Sequence, residues 1–245
     1  LKHQTIAIVC DVHVPDHDRP TVRAFFEWCK HNKPDEIILA GDILELESCS
    51  GHGKIVRPPL LLEDRDAGRS FLDDVRKHNP RARLTYLEGN HETRLARKVV
   101  DRIPELSGAV SLPEMLELRQ RGIAWHPYGE VIRRGKLGIT HGAWTPTHHA
   151  KKHLEEFGCS IAYGHTHRPQ TYTRGKVGGT TYGAFGLPCM RTLNPAWLNN
   201  HPSGWMHGFG ILYVMPTGHF NLYTVMMHGG RFIYGGREYG ARFKK

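Results

Sequence analysis

Short apolar runs alternate with amphipathic stretches through the first part of the chain, and run after run stops at a polar residue. "TIAIVC" (Thr5 to Cys10) is apolar and β-branched and ends at Asp11, which predicts a buried strand. Val22, Phe25, Phe26 and Cys29 recur at i, i+3, i+4 and i+7 with Pro34 beyond them, which predicts a helix. "EIILAGD" predicts a second buried strand ending at Asp42. The pattern then breaks from Leu44 to Leu62 into an insertion containing glycine and proline, before Ala67, Phe71, Leu72 and Val75 mark a second helix. "ARLTYLEGNHE" predicts a third strand with a polar tip at Asn90 and His91, followed by a helical segment from Glu92 to about Asp101.

"GEVIRRGKLGITHG" predicts two strands around an Arg-Gly-Lys turn, ending at His141. "HHAKKHLEEFG" predicts a helix closed by Gly158, and "SIAYGHTH" another strand with a histidine tip. From Pro169 onward the chain alternates and is rich in glycine and aromatics. "FGILYVM", "HFNLYTVMM" and "RFIYGG" predict antiparallel strands around the turns "PTG" and "HGG". No internal repeat, low-complexity tract or linker interrupts the chain, so a single domain over residues 1–245 is expected.

Composition narrows the class. Apolar content is ordinary, and no run approaches the roughly 20 apolar residues of a membrane span. The apolar stretch near the N-terminus, about six residues, is short for a signal peptide. The cysteines are odd in number, five, and form no CxxC pair, which argues against a disulfide framework or zinc ribbon and favours a reducing cytoplasm. The formal charge of +9 favours anionic partners, phosphorylated small molecules or nucleic acid, although the basic residues are scattered.

The chemistry concentrates at the strand tips: Asp11-Val12-His13, Gly41-Asp42, Gly89-Asn90-His91, His141-Gly142 and Gly164-His165-Thr166-His167. Any one of these reads as a turn or cap. Together they put metal-binding residue types where α/β sheets gather ligands, beyond the carboxyl ends of strands. In an extended stretch residues i and i+2 point the same way, so His165 and His167 would face the same side while Thr166 points away.

In that order, DxH, GD, GNHE, HG and GHTH, from Asp11 to His167, resemble the motif set of the calcineurin-like metallophosphoesterases. The resemblance implies a four-layer α-β-β-α sandwich, two mixed sheets flanked by helices, with the strands after about residue 169 completing the second sheet. It implies one metal held by Asp11, His13, Asp42 and His167, and a second held by Asp42, Asn90, His141 and His165, with Asp42 bridging. His91 would be the catalytic acid, oriented by Glu45. Imidazole mixed with carboxylate suits first-row transition metals, Mn²⁺ first and Fe, Zn, Ni or Co as alternatives. Two such ions generate a metal-bound hydroxide and clamp a phosphate, so no serine or cysteine nucleophile is needed.

The pattern departs from the family's protein phosphatases, whose second motif reads GD-x-x-DRG. Here "GDILELES" lacks that aspartate, arginine and glycine, which argues against a protein phosphatase and against dinucleoside-tetraphosphate hydrolases. "GNHETRL" resembles metallophosphoesterases of phages and prophages. Arg94 either meets a phosphate or is a solvated first-turn residue, and His52 in "SGHGK" either reaches the site from its loop or stays outside it. His148, His149 and His153 are expected on a solvated helix face. Trp197 and Trp205 either stack on bases or pack a satellite core. The expected activity is hydrolysis of a nucleic-acid (DNA or RNA) or nucleotide phosphodiester. The alternatives are a phosphomonoesterase, on small molecules or nucleic-acid ends, and a non-catalytic scaffold of the same fold.

Overall fold

A computed structural model describes residues 2–51, 59–175 and 177–240. Along the chain run β1 (Gln4–Val9), α1 (Arg19–Asn32), β2 (Glu36–Ala40), α2 (Leu61–His78), β3 (Arg83–Leu87), α3 (Thr93–Arg102), α4 (Leu112–Met115) and β4 (Ile123–His126). These are followed by β5 (Ile132–Arg134), β6 (Leu137–Thr140), α5 (His149–Phe157), β7 (Ile161–Tyr163), β8 (Gln170–Arg174) and β9 (Tyr182–Gly186). The last strands are β10 (His207–Val214), β11 (Phe220–Met227), β12 (Phe232–Tyr234) and β13 (Arg237–Tyr239). Helix α2 begins at Leu61, inside the stretch read as an insertion.

Two mixed sheets result. A six-stranded sheet has the order β11-β10-β1-β2-β3-β4 and a five-stranded sheet the order β5-β6-β7-β9-β8. Strands β1 to β4 run parallel, as do β6, β7 and β9. The period of 2 along each strand sorts side chains between layers. On β1, Ala7 and Val9 face a core shared with α1 and α2, while Ile6 and Ile8 face a second core shared with β6. On β2 the same split separates Ile37 and Leu39 from Ile38 and Ala40. A third core of Ala150, Leu154, Ile161, Tyr163 and Ala184 joins α5 to the outer face of the second sheet. Three apolar interfaces make four layers, helices outside and sheets within.

The C-terminal strands divide differently from expectation. Strands β8 and β9 do complete the second sheet, but β10 pairs antiparallel with β1 and carries β11 onto the edge of the first. The apolar alternation of β10 suits either sheet; what decides is that Phe209 and Ile211 enter the core under α1 while Leu212 and Val214 enter the inter-sheet core. Strands β12 and β13 form a separate hairpin.

At the amino ends of the parallel strands the sheets are joined by charge. Glu36, fully buried at the start of β2, accepts from Arg83 (2.8 Å) and Thr85 (2.8 Å) on β3 and from Arg134 Nε (2.7 Å) on β5. Burial disfavours its ionisation, but the Arg134 and Thr85 hydrogen bonds outweigh burial and hold the carboxyl below its usual value. A lowered folded-state pKa stabilises above the unfolded pKa, about 4.3, and that stabilisation is lost as pH falls through the folded value. Glu36→Gln is therefore expected to cost about 1–2 kcal/mol at neutral pH, with Arg83 mostly exposed and its share screened. The gap between variant and parent should close on the acid side of pH 4, as urea denaturation at both pH values will measure.

Candidate metal centre

The polar tips converge at the carboxyl ends of β1, β2, β3, β6 and β7. Backbone hydrogen bonds bind tip to tip: Asp11 N–H to Gly41 O (3.0 Å), His13 N–H to Asp42 O (3.0 Å) and Gly164 N–H to His141 O (2.9 Å). Asp11, His13, Asp42, His165 and His167 all adopt positive φ, between 50° and 69°. The left-handed region costs a non-glycine residue roughly 1 kcal/mol, and here it bends each chain end so that its side chain turns into the cleft. The "GHTH" stretch is thus not extended. His165 and His167 face the cleft through two left-handed residues, and Thr166 is buried, its hydroxyl accepting from the Arg168 N–H (3.3 Å). Two glycines are required by close approach. A Cβ at Gly89 would collide with the Asp42 carboxylate, and one at Gly164 with the Asp11 carboxylate.

The donor atoms fall into neighbouring groups. Asp11 Oδ1 lies 3.1 Å from His167 Nε2, and His13 Nε2 lies 3.2 Å from His167 Nε2. Asp42 Oδ2 lies 3.3 Å from His141 Nε2, which is 3.1 Å from Asn90 Oδ1. Asp11, His13 and His167 form one set with metal-ligand spacing, and Asp42, His141 and His165 another. Asp42 Oδ2 also faces the first set, 3.9 Å from His13 Nε2, while its Oδ1 accepts the His91 N–H at 2.8 Å. The seven ligands expected from the motifs are therefore brought together, with Asp42 between the two groups.

Outer partners fix the tautomers. His141 Nδ1 is 3.0 Å from Ala40 O, which can only accept, so Nδ1 carries the proton and the Nε2 lone pair faces Asp42 and Asn90. His13 Nδ1 is 2.7 Å from Glu45 Oε2, which likewise turns the Nε2 lone pair inward. Without a cation the neighbouring carboxylates drive protonation of His141 instead. Burial works against a charged His141, yet the adjacent Asp42 raises it to about 10. Burial raises the Asp11 carboxyl, but His167 outweighs it and lowers it to about 2. Asp42, buried among His141 and His91, is held well below the usual carboxylate range. His13, buried, falls to about 4. Lone pairs and anionic oxygens aimed at common points, with nothing but a proton to separate them, are a donor set that fits divalent cations.

Glu45 differs from expectation. Its short carboxylate bond goes to His13, because His13 sits over Oε2. His91 Nδ1 instead donates to the Glu45 backbone oxygen (3.1 Å), its distance to the carboxylate being 3.5 Å. Burial opposes ionisation of Glu45, but the His13 hydrogen bond lowers it to about 2. Arg94 is part of the cluster: Nη1 donates to Glu45 O (2.8 Å) and Nη2 lies 3.1 Å from His91 Nε2. His52 lies outside the described residues. His149 and His153 are buried, not solvated, because Tyr163 draws both inward: its ring stacks on His153 at 3.6 Å and its hydroxyl meets His149 Nδ1 at 2.7 Å. Only His148 of that trio is exposed. Trp197 is 60% exposed and so packs no core.

Two residues escaped the motif reading. Arg191, 3% exposed just past β9, directs Nη1 at Glu45 Oε2 (3.5 Å). Glu92 is 1% exposed and clamps the end of β2. Its Oε2 accepts from the Asp42 N–H (2.9 Å) and Gly89 N–H (2.7 Å), and its Oε1 from the Ile43 N–H (2.7 Å), Leu44 N–H (3.0 Å) and Tyr86 hydroxyl (2.8 Å). Burial, then Asp42, pushes its carboxyl up to about 7 against those donors. The "GNHE" motif contains Glu92, but only its burial beneath Asp42 reveals the clamp.

No family model matches the chain. It is 25% identical over 260 residues to the Gene 54 protein of Mycobacterium phage L5, covering 95% of this chain and 97% of that protein. It is 24% identical over 254 residues to the Gene 54 protein of Mycobacterium phage D29, covering 93% and 95%. Among solved structures it is similar to Vacuolar Protein Sorting 29 from Cryptosporidium parvum, with a TM-score of 0.49, 13% identity and coverage of 96% and 94%. It is also similar to YfcE, a phosphoesterase from E. coli, with a TM-score of 0.42, 13% identity and coverage of 90% and 99%.

Glu92→Gln replaces one acceptor oxygen with an amide that opposes backbone N–H donors. The expected cost is roughly 3 kcal/mol in urea denaturation, since buried donors lose their acceptor. Mn²⁺ affinity by calorimetry should fall about 10–100-fold, because Asp42 loses its support. A fully stable variant would mean that the carboxyl is held neutral, which glutamine mimics.

Proposed function

We propose that this chain is a metal-dependent phosphodiesterase acting on a nucleic-acid strand or nucleotide diester with two divalent transition-metal ions, Mn²⁺ foremost. The observation that carries the reading is the inward convergence of the Asp11, His13 and His167 donors beside those of Asp42, Asn90, His141 and His165, with Asp42 Oδ2 facing both groups. When bound, such ions supply an activated water and neutralise a phosphate. Glu45 and Ala40 hold the His13 and His141 lone pairs inward, and Glu92 anchors the backbone of Asp42. His91, its Nδ1–H tied to the Glu45 carbonyl, is the proton donor to the leaving oxygen as the imidazolium, with Nε2–H turning to the substrate once a phosphate takes over Arg94. Arg94, 3.1 Å from that nitrogen, is the group positioned to draw in a phosphate. The net charge of +9 supports a polyanionic substrate, and the full-length similarity to two mycobacteriophage proteins supports a phage-type member. The five cysteines are free, which supports action in a reducing cytoplasm. Among the described residues no helix is long and apolar enough to cross a membrane.

The deciding experiment compares bis-p-nitrophenyl phosphate with p-nitrophenyl phosphate after chelation and reconstitution. The expected result is loss of activity on stripping, restoration by Mn²⁺ over Mg²⁺ because the ligands mix nitrogen with oxygen, and preference for the diester. Preference for the monoester would establish a phosphomonoesterase instead, and inactivity with every metal a non-catalytic role.

His91→Ala should keep its metals, since Asn90 is the proposed ligand at that tip. It should lose about 10²–10⁴-fold in kcat on a nucleotide diester, whose alkoxide leaving group needs a proton. On a p-nitrophenyl ester the loss should be much smaller. Equal losses on both would make His91 a phosphate-orienting group.

A further inference from the structure

The segment between β9 and β10 builds a cationic aromatic surface onto the metal centre. Trp205 sets its ring edge-on against His167, centroids 4.5 Å apart. Trp197 lies one ring further out, 5.7 Å from Trp205. The Arg191 guanidinium covers both indoles, 5.3 Å from Trp205 and 5.7 Å from Trp197. Arg191 is almost fully buried, yet its Nε has no hydrogen-bond partner, and the carboxylate it pairs with, Glu45, is shared with His13 and Arg94. The Arg168 side chain packs beneath the loop at Gly204. Trp197 meanwhile leaves more than half its surface open to solvent.

We propose that this surface is the base-binding subsite of the active centre, with Trp197 as the stacking platform. The inference rests on the phosphodiesterase reading above and names the part of the substrate that the metal centre does not touch. A nucleotide joins a phosphate to a flat aromatic base through a sugar, so it can offer the first to the metal centre and the second to the indoles. An exposed indole backed by a guanidinium binds bases of any sequence by stacking, and the positive charge attracts the adjoining phosphates. Trp205 fixes the platform relative to His167, so Trp205 is a positioning residue and Trp197 a specificity-determining one.

The test uses two diesters with one leaving group: thymidine 5′-(p-nitrophenyl phosphate), which has a base, and methyl p-nitrophenyl phosphate, which has none. In Trp197→Ala, KM for the thymidine ester should rise about tenfold with kcat nearly unchanged, as expected for a lost base stack. The methyl ester should be hydrolysed as by the parent, and Trp197→Phe should recover most of the affinity. A KM change equal on both esters, or none on either, overturns the subsite and leaves the phosphodiesterase reading intact. Equilibrium dialysis of thymidine 5′-monophosphate against the Mn²⁺-supplemented protein provides a readout independent of turnover. Binding should be about tenfold weaker in Trp197→Ala than in the parent. If neither ester is hydrolysed, the phosphodiesterase reading fails and the dialysis alone decides the subsite. Equal binding by both proteins, or none by the parent, overturns it.

Discussion

Everything at the carboxyl ends of these sheets answers to one electrostatic constraint. Two carboxylates, Asp11 and Asp42, are buried side by side, and their ion-pair partners among the described residues are imidazoles rather than lysine or arginine. Buried charge of one sign is costly unless it is paired and hydrogen-bonded. Backbone N–H groups meet part of the need: the His165 amide bonds both Asp11 oxygens, and the His91 amide bonds Asp42 Oδ1. The rest falls to the histidines, which either take up protons or share cations with the carboxylates. That choice couples the charge state of the whole cluster to whatever occupies it.

The backbone is shaped to hold this arrangement. Left-handed residues at Asp11, His13, Asp42, His165 and His167 are each disfavoured on their own. They persist because the strands behind them are locked between three apolar cores, and because tip-to-tip hydrogen bonds leave each turn no alternative. Glu92 works on the same problem from below, where one buried carboxylate gathers the amides that lead out of β2. Strain near the cleft is thus offset by packing well away from it. At the far end of the strands, the Glu36 and Arg134 pair joins the two sheets by charge.

Charge is also graded across the mouth of the cleft. Glu45 offers one oxygen to His13 and Arg191 and the other to Arg94, so a single carboxylate both orients an imidazole and balances two guanidiniums. Beyond Arg191 the surface becomes aromatic, its guanidinium lying over the Trp205 and Trp197 rings.

The strand tips were legible because an apolar run that stops at Asp, Asn or His shows both where a buried strand ends and what chemistry it presents. The four-layer sandwich was implied by the resemblance those tips carry, while the helix carrying Phe25 and Phe26 and the metal-binding residue types at the tips follow from that local pattern. The partner of a strand does not, because every sheet edge offers the same row of N–H and C=O groups; β10 could have joined either sheet until its two faces met two different cores. Spacing likewise suggested an extended "GHTH", since backbone handedness at His165 and His167 is set by contacts with Asp11 and not by their neighbours in the chain. His149 and His153 read as surface residues because Tyr163, which buries them, arrives on another element. Glu45 meeting His13, Glu92 gathering amides across β2, and Arg191 reaching back to Glu45 all join residues distant in sequence. The sequence by itself determined which side chains stand at the ends of which strands, because period and composition are local properties. Only the tertiary structure decided which of those side chains touch, because contact depends on how separate elements pack.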